Sequence, residues 1–208
     1  MAPRDLYRVL VSSRRFAYHI LTRERFATIA EGDRALRSRN ELGTAALNYA
    51  LPKLVQLRDE IHPKAGVIPN EGVPFYFTPR SPMFCRLVSS MQLGAEDIVA
   101  IGVDVERCKL RHQNWLFSSN PVHPDAQYLG SCDERELLAW DVLERWDWRT
   151  GIEEQDMRSA FSRQAELLLS PPVMFDEVDH LVVDNGRTPP DHLLSSFRVI
   201  QIPGIFAP

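Results

Sequence analysis

The segment Arg163-Gln164-Ala165-Glu166-Leu167-Leu168-Leu169 places a carboxylate at the start of an apolar run, and Ser170-Pro171-Pro172 ends that run. A short apolar run bounded by breaking residues predicts a buried β-strand. Burial of a charged glutamate is unfavourable unless the charge is paired. Glu166 therefore either begins the strand facing water or is a catalytic carboxylate held beside a substrate, and the local pattern alone leaves both interpretations open.

The composition is typical of a single globular domain. The chain has 208 residues, of which 44% are hydrophobic and 25% charged, and this length can bury a substantial core. No apolar segment is long enough to span a bilayer. Arginines near the N-terminus interrupt the apolar stretch that a signal peptide requires. We therefore expect a cytoplasmic protein with no membrane partner.

The positions of cysteine and histidine argue against a metal site. Cys85, Cys108 and Cys132 are widely spaced, odd in number and without a C-x-x-C pattern, and the histidines are also scattered. This spacing predicts free thiols in a reducing compartment, with neither a disulfide framework nor a bound metal.

Charge is distributed unevenly along the chain. Residues 1–58 contain eleven Lys and Arg against five Asp and Glu, whereas the whole chain has a net charge of −4. A basic half rich in arginine suits a polyanionic partner or a phosphate-bearing cofactor. A solvated helix face that pairs with the acidic half explains the same pattern, so both interpretations stay open.

The predicted elements follow one another in an irregular order. Strands are predicted at residues 16–21, 97–105, 178–183 and 197–202, and helices at residues 51–61 and 134–145. Because strands and helices do not alternate as βαβ units, the sequence favours an α+β fold with mostly antiparallel sheets. The phosphate-binding patterns G-x-G-x-x-G and G-x-x-x-x-G-K do not occur, so any dinucleotide must be held by other means.

Two further segments stand out. Val73-Pro74-Phe75-Tyr76-Phe77-Thr78-Pro79-Arg80-Ser81-Pro82-Met83 predicts a short aromatic strand that runs into a rigid turn, where prolines fix the backbone and present Arg80. The alternative is that the aromatic residues are core and Arg80 is a surface turn residue. Tyr18-His19-Ile20 lies in the first predicted strand, where a lone histidine is more often a hydrogen-bonded core residue than a ligand.

Taken in order, these three segments resemble the DarT family, the toxins of DarT–DarG toxin–antitoxin systems, over roughly residues 16–183. The segment 73–83 is the most distinctive, and Gln164-x-Glu166 is similar to the Gln/Glu-x-Glu pattern of ADP-ribosyltransferases. The resemblance implies an ADP-ribosyltransferase-like split β-sandwich with flanking helices, formed by residues 1–208 as one domain, with NAD⁺ in the cleft. It also implies transfer of ADP-ribose to a base of single-stranded DNA, thymine being favoured and guanine possible.

The resemblance implies two catalytic residues, Glu166 and Arg58. Breaking the bond between nicotinamide and ribose develops positive charge on the ribose, and a carboxylate beneath it stabilises that charge. Arg58 is normally fully protonated, so we expect it to polarise the acceptor base. The alternative is that Arg58 is an exposed helix charge paired with Asp59 or Glu60.

The resemblance also assigns the binding residues. The predicted contacts with NAD⁺ come from His19, Ile20, Leu21, Leu36, Arg58 and Tyr76. The predicted contacts with the nucleic acid come from Gln164, Arg80 and His123. Residues 41–58 are expected to cover the cofactor, and residues 112–165 to present the nucleic acid.

The chain departs from the family pattern at three places. Leu21 replaces a threonine, Gly72 replaces a tyrosine, and Ser118-Ser119-Asn120-Pro121 replaces an acidic turn. These changes leave three alternatives open: an RNA target, a protein target, or a catalytically silent relative that binds nucleic acid. The favoured function is that of a toxin in a toxin–antitoxin or phage-defence system, which acts on single-stranded DNA and has a macrodomain-type antitoxin as partner.

Overall fold

A computed structural model of the chain describes residues 1–42, 52–60, 66, 68–83, 93–147, 149–184 and 196–206. In chain order the strands are β1 (Phe16–Thr22), β2 (Ala35–Leu36), β3 (Val73–Tyr76), β4 (Ile98–Asp104), β5 (Asn114–Phe117), β6 (Tyr128–Gly130), β7 (Glu166–Leu169), β8 (Val173–Met174), β9 (Val178–Val183) and β10 (Arg198–Gln201). The helices are α1 (Pro3–Ser12), α2 (Arg23–Glu31), α3 (Arg39–Leu42), α4 (Pro52–Glu60), α5 (Val105–Cys108), α6 (Trp140–Leu143) and α7 (Glu153–Ser162).

An eight-stranded sheet organises the fold, with strand order β10-β9-β4-β1-β3-β7-β5-β6. The β9–β10 pair is parallel and the other pairs of this sheet are antiparallel. Strand β4 is buried along all seven of its residues, as expected of a central strand covered on both faces. The predicted α+β fold with mostly antiparallel strands is confirmed.

The sheet is nearly divided in its middle, between β1 and β3. Strand β1 pairs with β4 at seven positions and β3 pairs with β7 at four, but β1 and β3 pair at Tyr18 and Tyr76 alone among their described residues. Directly after that pair, the His19 ring bonds the carbonyl of Pro74, with 2.7 Å between Nδ1 and O. A side chain thus takes the place of backbone pairing, which gives the split that the resemblance implies.

The helix after β1 begins with a side-chain cap. The Thr22 hydroxyl accepts a hydrogen bond from the backbone N–H of Arg25 at 3.2 Å and caps α2. Phe26, Ile29 and Ala30 then form its buried stripe. This cap fixes where β1 ends and the helix starts.

The single long helix predicted over residues 134–145 is wrong. A 3₁₀ helix (Cys132–Leu137) is followed by the short α6, and Ala139 between them has a non-helical ψ of 69°. The indole N–H of Trp140 donates to the carbonyl of Arg135 at 2.8 Å. That carbonyl also accepts from the backbone N–H of Leu138 at 3.1 Å, a bond of the 3₁₀ type, whereas a continuous α-helix would bond it to the N–H of Ala139.

Within the described residues, no helix has both the length and the apolar character needed to cross a membrane.

Candidate active site

Two charged residues far apart in sequence meet beside the split of the sheet. Glu166 opens β7 with its side chain fully buried, and the Arg58 side chain is 12% exposed. Arg58 Nη2 donates to Glu166 Oε1 at 2.5 Å, and Nη1 donates to Oε2 at 3.2 Å. This bidentate geometry is the strong form of a guanidinium–carboxylate pair. The alternatives in which Glu166 faces water and Arg58 is an exposed helix charge are therefore wrong.

The Arg58 guanidinium is hydrogen-bonded on every side. Besides Glu166, it donates from Nε to Asn70 Oδ1 at 3.2 Å, from Nη1 to Asn120 Oδ1 at 3.3 Å and from Nη2 to the carbonyl of Pro69 at 3.3 Å. These bonds use all five N–H donors that an arginine has. Burial disfavours the charged guanidinium, but the Glu166 carboxylate outweighs burial and raises the pKa of Arg58. Arg58 is thus held as a charged donor beside Glu166.

Glu166 belongs to a row of side chains that crosses the sheet. Tyr18 of β1 is paired with Tyr76 of β3, Tyr76 with Glu166, and Glu166 with Phe117 of β5. Directly opposite residues of neighbouring strands project to the same face. Tyr76 is buried and lies close enough to Arg58 to contribute to its raised pKa. The fold therefore brings the predicted residues Tyr76, Arg58 and Glu166 together.

His19 lies at the split itself and has one ring nitrogen available. Because a carbonyl only accepts, the bond to Pro74 requires a proton on His19 Nδ1. Burial lowers the pKa of His19, against the effect of the Pro74 carbonyl, so the ring is neutral near pH 7 and Nε2 carries a lone pair. Within the part of the chain that the structure describes, no group hydrogen-bonds Nε2. The ring can accept a hydrogen bond from a hydroxyl or amide of a ligand.

The other predicted NAD⁺ contacts have buried side chains. Ile20 and Leu21 follow His19 and pair with β4, and each is 7% exposed. Leu36 pairs with Val173 of β8 and is 2% exposed within the core. With their side chains buried, Ile20 and Leu21 would reach a cofactor through their backbone. Their contacts with NAD⁺, and that of Leu36, stay predictions.

Two of the predicted nucleic-acid contacts meet at the C-terminal end of α7. The Gln164 side chain is half-buried and donates to the carbonyl of Ala160 at 3.1 Å. His123 is exposed, and its ring packs edge-on against Phe161 with 4.7 Å between centroids. Both residues are thus held by the helix that leads into β7, and their contact with nucleic acid stays a prediction.

Arg80, the third predicted nucleic-acid contact, is buried and has structural partners. Its guanidinium donates to the carbonyls of Trp146, Gly204 and Ile205 at 2.8–3.1 Å and stacks over the Trp146 ring at 5.0 Å. Arg80 therefore ties its turn to the C-terminal segment. Its contact with substrate stays a prediction that these bonds do not favour.

Sequence reasoning missed three residues that support the site. Asn70 and Asn120 bond the Arg58 guanidinium, and Arg163 is a fully buried arginine just before Gln164. Asn120 lies in the Ser-Ser-Asn-Pro turn that departs from the family pattern, which was the available signal for it. No local pattern distinguishes Asn70 or Arg163 from surface residues.

The two predicted loops are partly regular structure. In the range 41–58, residues 41–42 end α3 and residues 52–58 belong to α4, and residues 43–51 lie outside the described residues. The range 112–165 contains β5, β6, α6 and α7. Across the described ranges, no cluster of three or more His, Cys, Asp or Glu could hold a metal.

Comparison with known proteins adds a family match. A family model described as "ssDNA thymidine ADP-ribosyltransferase, DarT" matches residues 18–190, most of the chain. Comparison with curated protein sequences gave no match.

Solved structures with a similar fold are DarT proteins. The fold resembles Thermus sp. 2.9 DarT in complex with ADP-ribosylated ssDNA, with a TM-score of 0.75 and 20% identity over 91% of this chain and 94% of that one. The same protein in complex with NAD⁺ gives a TM-score of 0.67 and 20% identity over 89% and 94%. Thermosipho africanus DarTG in complex with ADP-ribose gives 0.70 and 19% over 92% of this chain and 51% of that one. At these identities the similarity shows the fold.

Proposed function

The chain belongs to the DarT family of ssDNA thymidine ADP-ribosyltransferases, and on this premise we propose that it transfers ADP-ribose from NAD⁺ to thymine bases of single-stranded DNA, releasing nicotinamide. The observation that carries the proposal is the buried Arg58–Glu166 pair beside the split of the sheet. These two residues, 108 positions apart, are the ones to which the resemblance assigns catalysis. Solved relatives of the same fold that hold NAD⁺ and ADP-ribosylated ssDNA support the assignment.

Glu166 acts on the donor. When the bond between the nicotinamide nitrogen and ribose C1′ breaks, positive charge develops on the ribose, and a fixed carboxylate stabilises that charge. A ribose hydroxyl that donates to Glu166 holds the carboxylate beneath the reacting carbon. Because the site is buried, little water screens this interaction.

Arg58 acts on the acceptor. Thymine N3 forms the new bond to C1′, nicotinamide leaves, and the N3 proton passes to solvent. A guanidinium that donates to a carbonyl beside N3 stabilises the negative charge that the ring acquires as the proton leaves. Since groups of the protein itself accept from all five N–H groups, the base gains a donor when Glu166 turns toward the ribose and releases Nη1.

The remaining predicted residues divide between the two substrates. His19 Nε2 accepts from NAD⁺, the backbone of Ile20 and Leu21 lines the same cleft, and Leu36 supports the nicotinamide end. Gln164 and His123 contact the nucleic acid from the end of α7. The acceptor must be single-stranded, because pairing occupies the N3–H of thymine in a duplex.

The chain is, in this proposal, a toxin of the cytoplasm restrained by a macrodomain-type antitoxin. Thermosipho africanus DarTG, which was solved with ADP-ribose, is about twice as long as the region that this chain matches. The buried free thiols Cys108 and Cys132 suit a reducing compartment. Co-purification of the chain with a macrodomain protein that removes the modification tests the partnership.

The experiment for the transfer reaction uses a single-stranded oligonucleotide of mixed sequence. The oligonucleotide is incubated with protein and NAD⁺, digested to nucleosides and analysed by mass spectrometry, with the same oligonucleotide annealed to its complement as the control. We expect ADP-ribosylated thymidine from the single strand and much less from the duplex. Modified guanosine in place of modified thymidine would contradict the proposed acceptor. ADP-ribose attached only to RNA or to protein, when these are offered instead of the oligonucleotide, would contradict it as well.

A further inference from the structure

One contact of the Arg58 guanidinium comes from the turn that follows β5. We propose that Asn120 is a positioning residue, which holds the guanidinium in place when Glu166 turns to the ribose; this inference rests on the proposed function. Arg58 Nη1 donates to Asn120 Oδ1 at 3.3 Å. The two residues are 62 positions apart, so the contact depends on the fold and not on local sequence.

The Asn120 side chain is itself fixed before substrate binds. Its Oδ1 atom also accepts from the backbone N–H of Val122 at 3.2 Å, so two donors face the same atom. Two donors identify that atom as the oxygen and fix the amide orientation. Pro121, between the two residues, restrains the backbone of the turn. Asn120 thus presents a rigid acceptor to Arg58.

The turn is anchored to the helix that leads to the catalytic strand. The buried Ser119 hydroxyl donates to the carbonyl of Phe161 at 2.7 Å, and the backbone N–H of His123 donates to the carbonyl of Asn120 at 2.9 Å. Phe161 lies in the last turn of α7, five positions before Glu166. Asn120 and Glu166 are therefore held by the same structural unit and reach the guanidinium from two of its sides.

The arrangement of the five hydrogen bonds explains why Asn120 matters. Glu166 binds the tip of the guanidinium through one N–H of each terminal nitrogen, while Pro69 and Asn70 bind one edge and Asn120 binds the other. When the hydrogen bond between Nη1 and Glu166 is broken, bonds to Asn70 and Pro69 on one edge would leave the guanidinium free to tilt. Asn120 supplies the opposing contact, so the released N–H keeps pointing to the position of the base.

The side chain also suits this role because it is neutral. Asn120 accepts a hydrogen bond without placing a second carboxylate beside Arg58, so Glu166 meets no competing anion from the turn. An aspartate at the same position keeps the acceptor atom and the bond from Val122. It therefore separates the need for an acceptor from the need for an amide.

The test compares Asn120→Ala, Asn120→Asp and Gln201→Ala, and measures transfer to a thymidine-containing single strand together with NAD⁺ binding by calorimetry. Gln201 is exposed at the end of β10, on the edge of the sheet and outside the predicted substrate segments, and its side chain makes no hydrogen bond among the described residues, so its variant is the matched control. We expect Asn120→Ala to lower kcat about 10- to 100-fold, as for loss of one hydrogen bond to a charged group, with the Kd for NAD⁺ changed less than about twofold. Asn120→Asp keeps the acceptor atom but adds a competing anion, so it recovers only part of this kcat, and Gln201→Ala matches the wild type.

The outcomes distinguish this inference from the proposed function. A wild-type protein that modifies no thymidine overturns the proposed function, whereas a wild-type protein and an Asn120→Ala variant of equal kcat overturn the role of Asn120. Equal losses in kcat and in NAD⁺ affinity also overturn it, since they indicate a general structural defect. A double-mutant cycle between Arg58→Ala and Asn120→Ala in unfolding needs no activity, and strictly additive effects would show that the two side chains do not support each other.

Discussion

At the scale of single residues, the two buried charges of the site are paired with each other. Glu166 is fully buried and its two oxygens accept from Arg58, while the neutral groups of Asn70, Asn120 and Pro69 take the other donors. Burial of an ion pair costs desolvation energy, so such a pair is retained more readily for function than for stability. Because each charge belongs to a single side chain, the contribution of each can be measured with one substitution.

Replacing Glu166 with glutamine tests the role of its charge. Glu166→Gln keeps the shape and one acceptor oxygen but removes the negative charge that stabilises the ribose cation. We expect kcat for transfer to fall at least about 100-fold, as on removal of one electrostatic stabiliser of a transition state, while the circular dichroism spectrum of the folded protein is kept. Transfer at more than a tenth of the wild-type rate would contradict the role given to Glu166.

Protonation of His19 should control NAD⁺ binding at low pH. Burial lowers the pKa of His19 below its ordinary value of 6.5, so Nε2 remains an acceptor at neutral and mildly acidic pH and is lost only as pH falls through the lowered pKa. Calorimetric titrations between pH 8 and pH 5 should therefore give a Kd for NAD⁺ that is constant near neutrality and rises only below 6.5. His19→Gln should bind more weakly with no such rise, and an identical pH profile for both proteins would contradict the assignment.

The same lowered pKa has a consequence for stability. Below pH 6.5 the unfolded chain takes up a proton at His19 more readily than the folded chain does. Proton uptake therefore favours the unfolded chain, and the free energy of unfolding decreases as pH falls below 6.5, whereas above 6.5 it is unaffected by this group. His180 has a pKa lowered by burial as well and acts in the same direction. Stability against urea should consequently decrease from pH 7 to pH 5.

At the scale of elements, Arg163 connects the end of α7 to three other parts of the chain. Its guanidinium donates to the Tyr7 hydroxyl of α1 and to carbonyls of α6, of the residue Arg145 and of the turn at Arg80. The side chain is fully buried, and carbonyls and hydroxyls surround the charge. This network fixes the position at which β7, and with it Glu166, enters the sheet.

Removing the Arg163 guanidinium should destabilise the protein strongly. Arg163→Met removes the N–H donors that the carbonyls of Arg80 and Arg145 accept from this guanidinium, whereas the carbonyl of Leu143 keeps the bond from the Tyr7 hydroxyl. At about 1–3 kcal/mol for each lost donor we expect a loss of at least about 2 kcal/mol in the free energy of unfolding, measured with urea. The control is Arg158→Ala, which removes an exposed arginine of α7 paired with Glu154 and should change stability by less than about 0.5 kcal/mol. Equal effects of the two changes would contradict the role of Arg163.

Elements made of contiguous apolar residues could be predicted from the sequence, whereas contacts between distant segments could not. Strands β1, β4, β7 and β9 lie where their apolar runs predicted them, because a local pattern determines each. Arg163 resembles a surface arginine in sequence, and its burial follows only from carbonyls that other elements supply. For the same reason the resemblance located Arg58 and Glu166, but the contact with Asn120 emerged only from the folded chain.

At the scale of the whole molecule, the core extends beyond the region that defines the family. The family match covers residues 18–190, yet Tyr7 before it and Ile205 and Phe206 after it are completely buried. The Asp184 carboxylate accepts from the backbone N–H groups of Gly204 and Phe206, and Arg80 bonds the carbonyls of Gly204 and Ile205. The segment after β10 is therefore part of the structure that holds the strand and turn of residues 73–83 in place.

Shortening the chain at its C-terminus should lower both the stability of the fold and the activity. A chain that ends at Ile202 loses two fully buried side chains worth about 1.5–3 kcal/mol each and leaves the Arg80 guanidinium without two of its acceptors. Because a domain of this kind is stable by only about 5–15 kcal/mol, we expect a marked fall in the thermal unfolding midpoint and a parallel loss of transfer. The matched control ends at Phe206 and keeps both side chains with their hydrogen bonds. If the chain ending at Ile202 unfolded at the same temperature as this control, the C-terminal segment would not contribute to the core, and the position of Arg80 would need another cause.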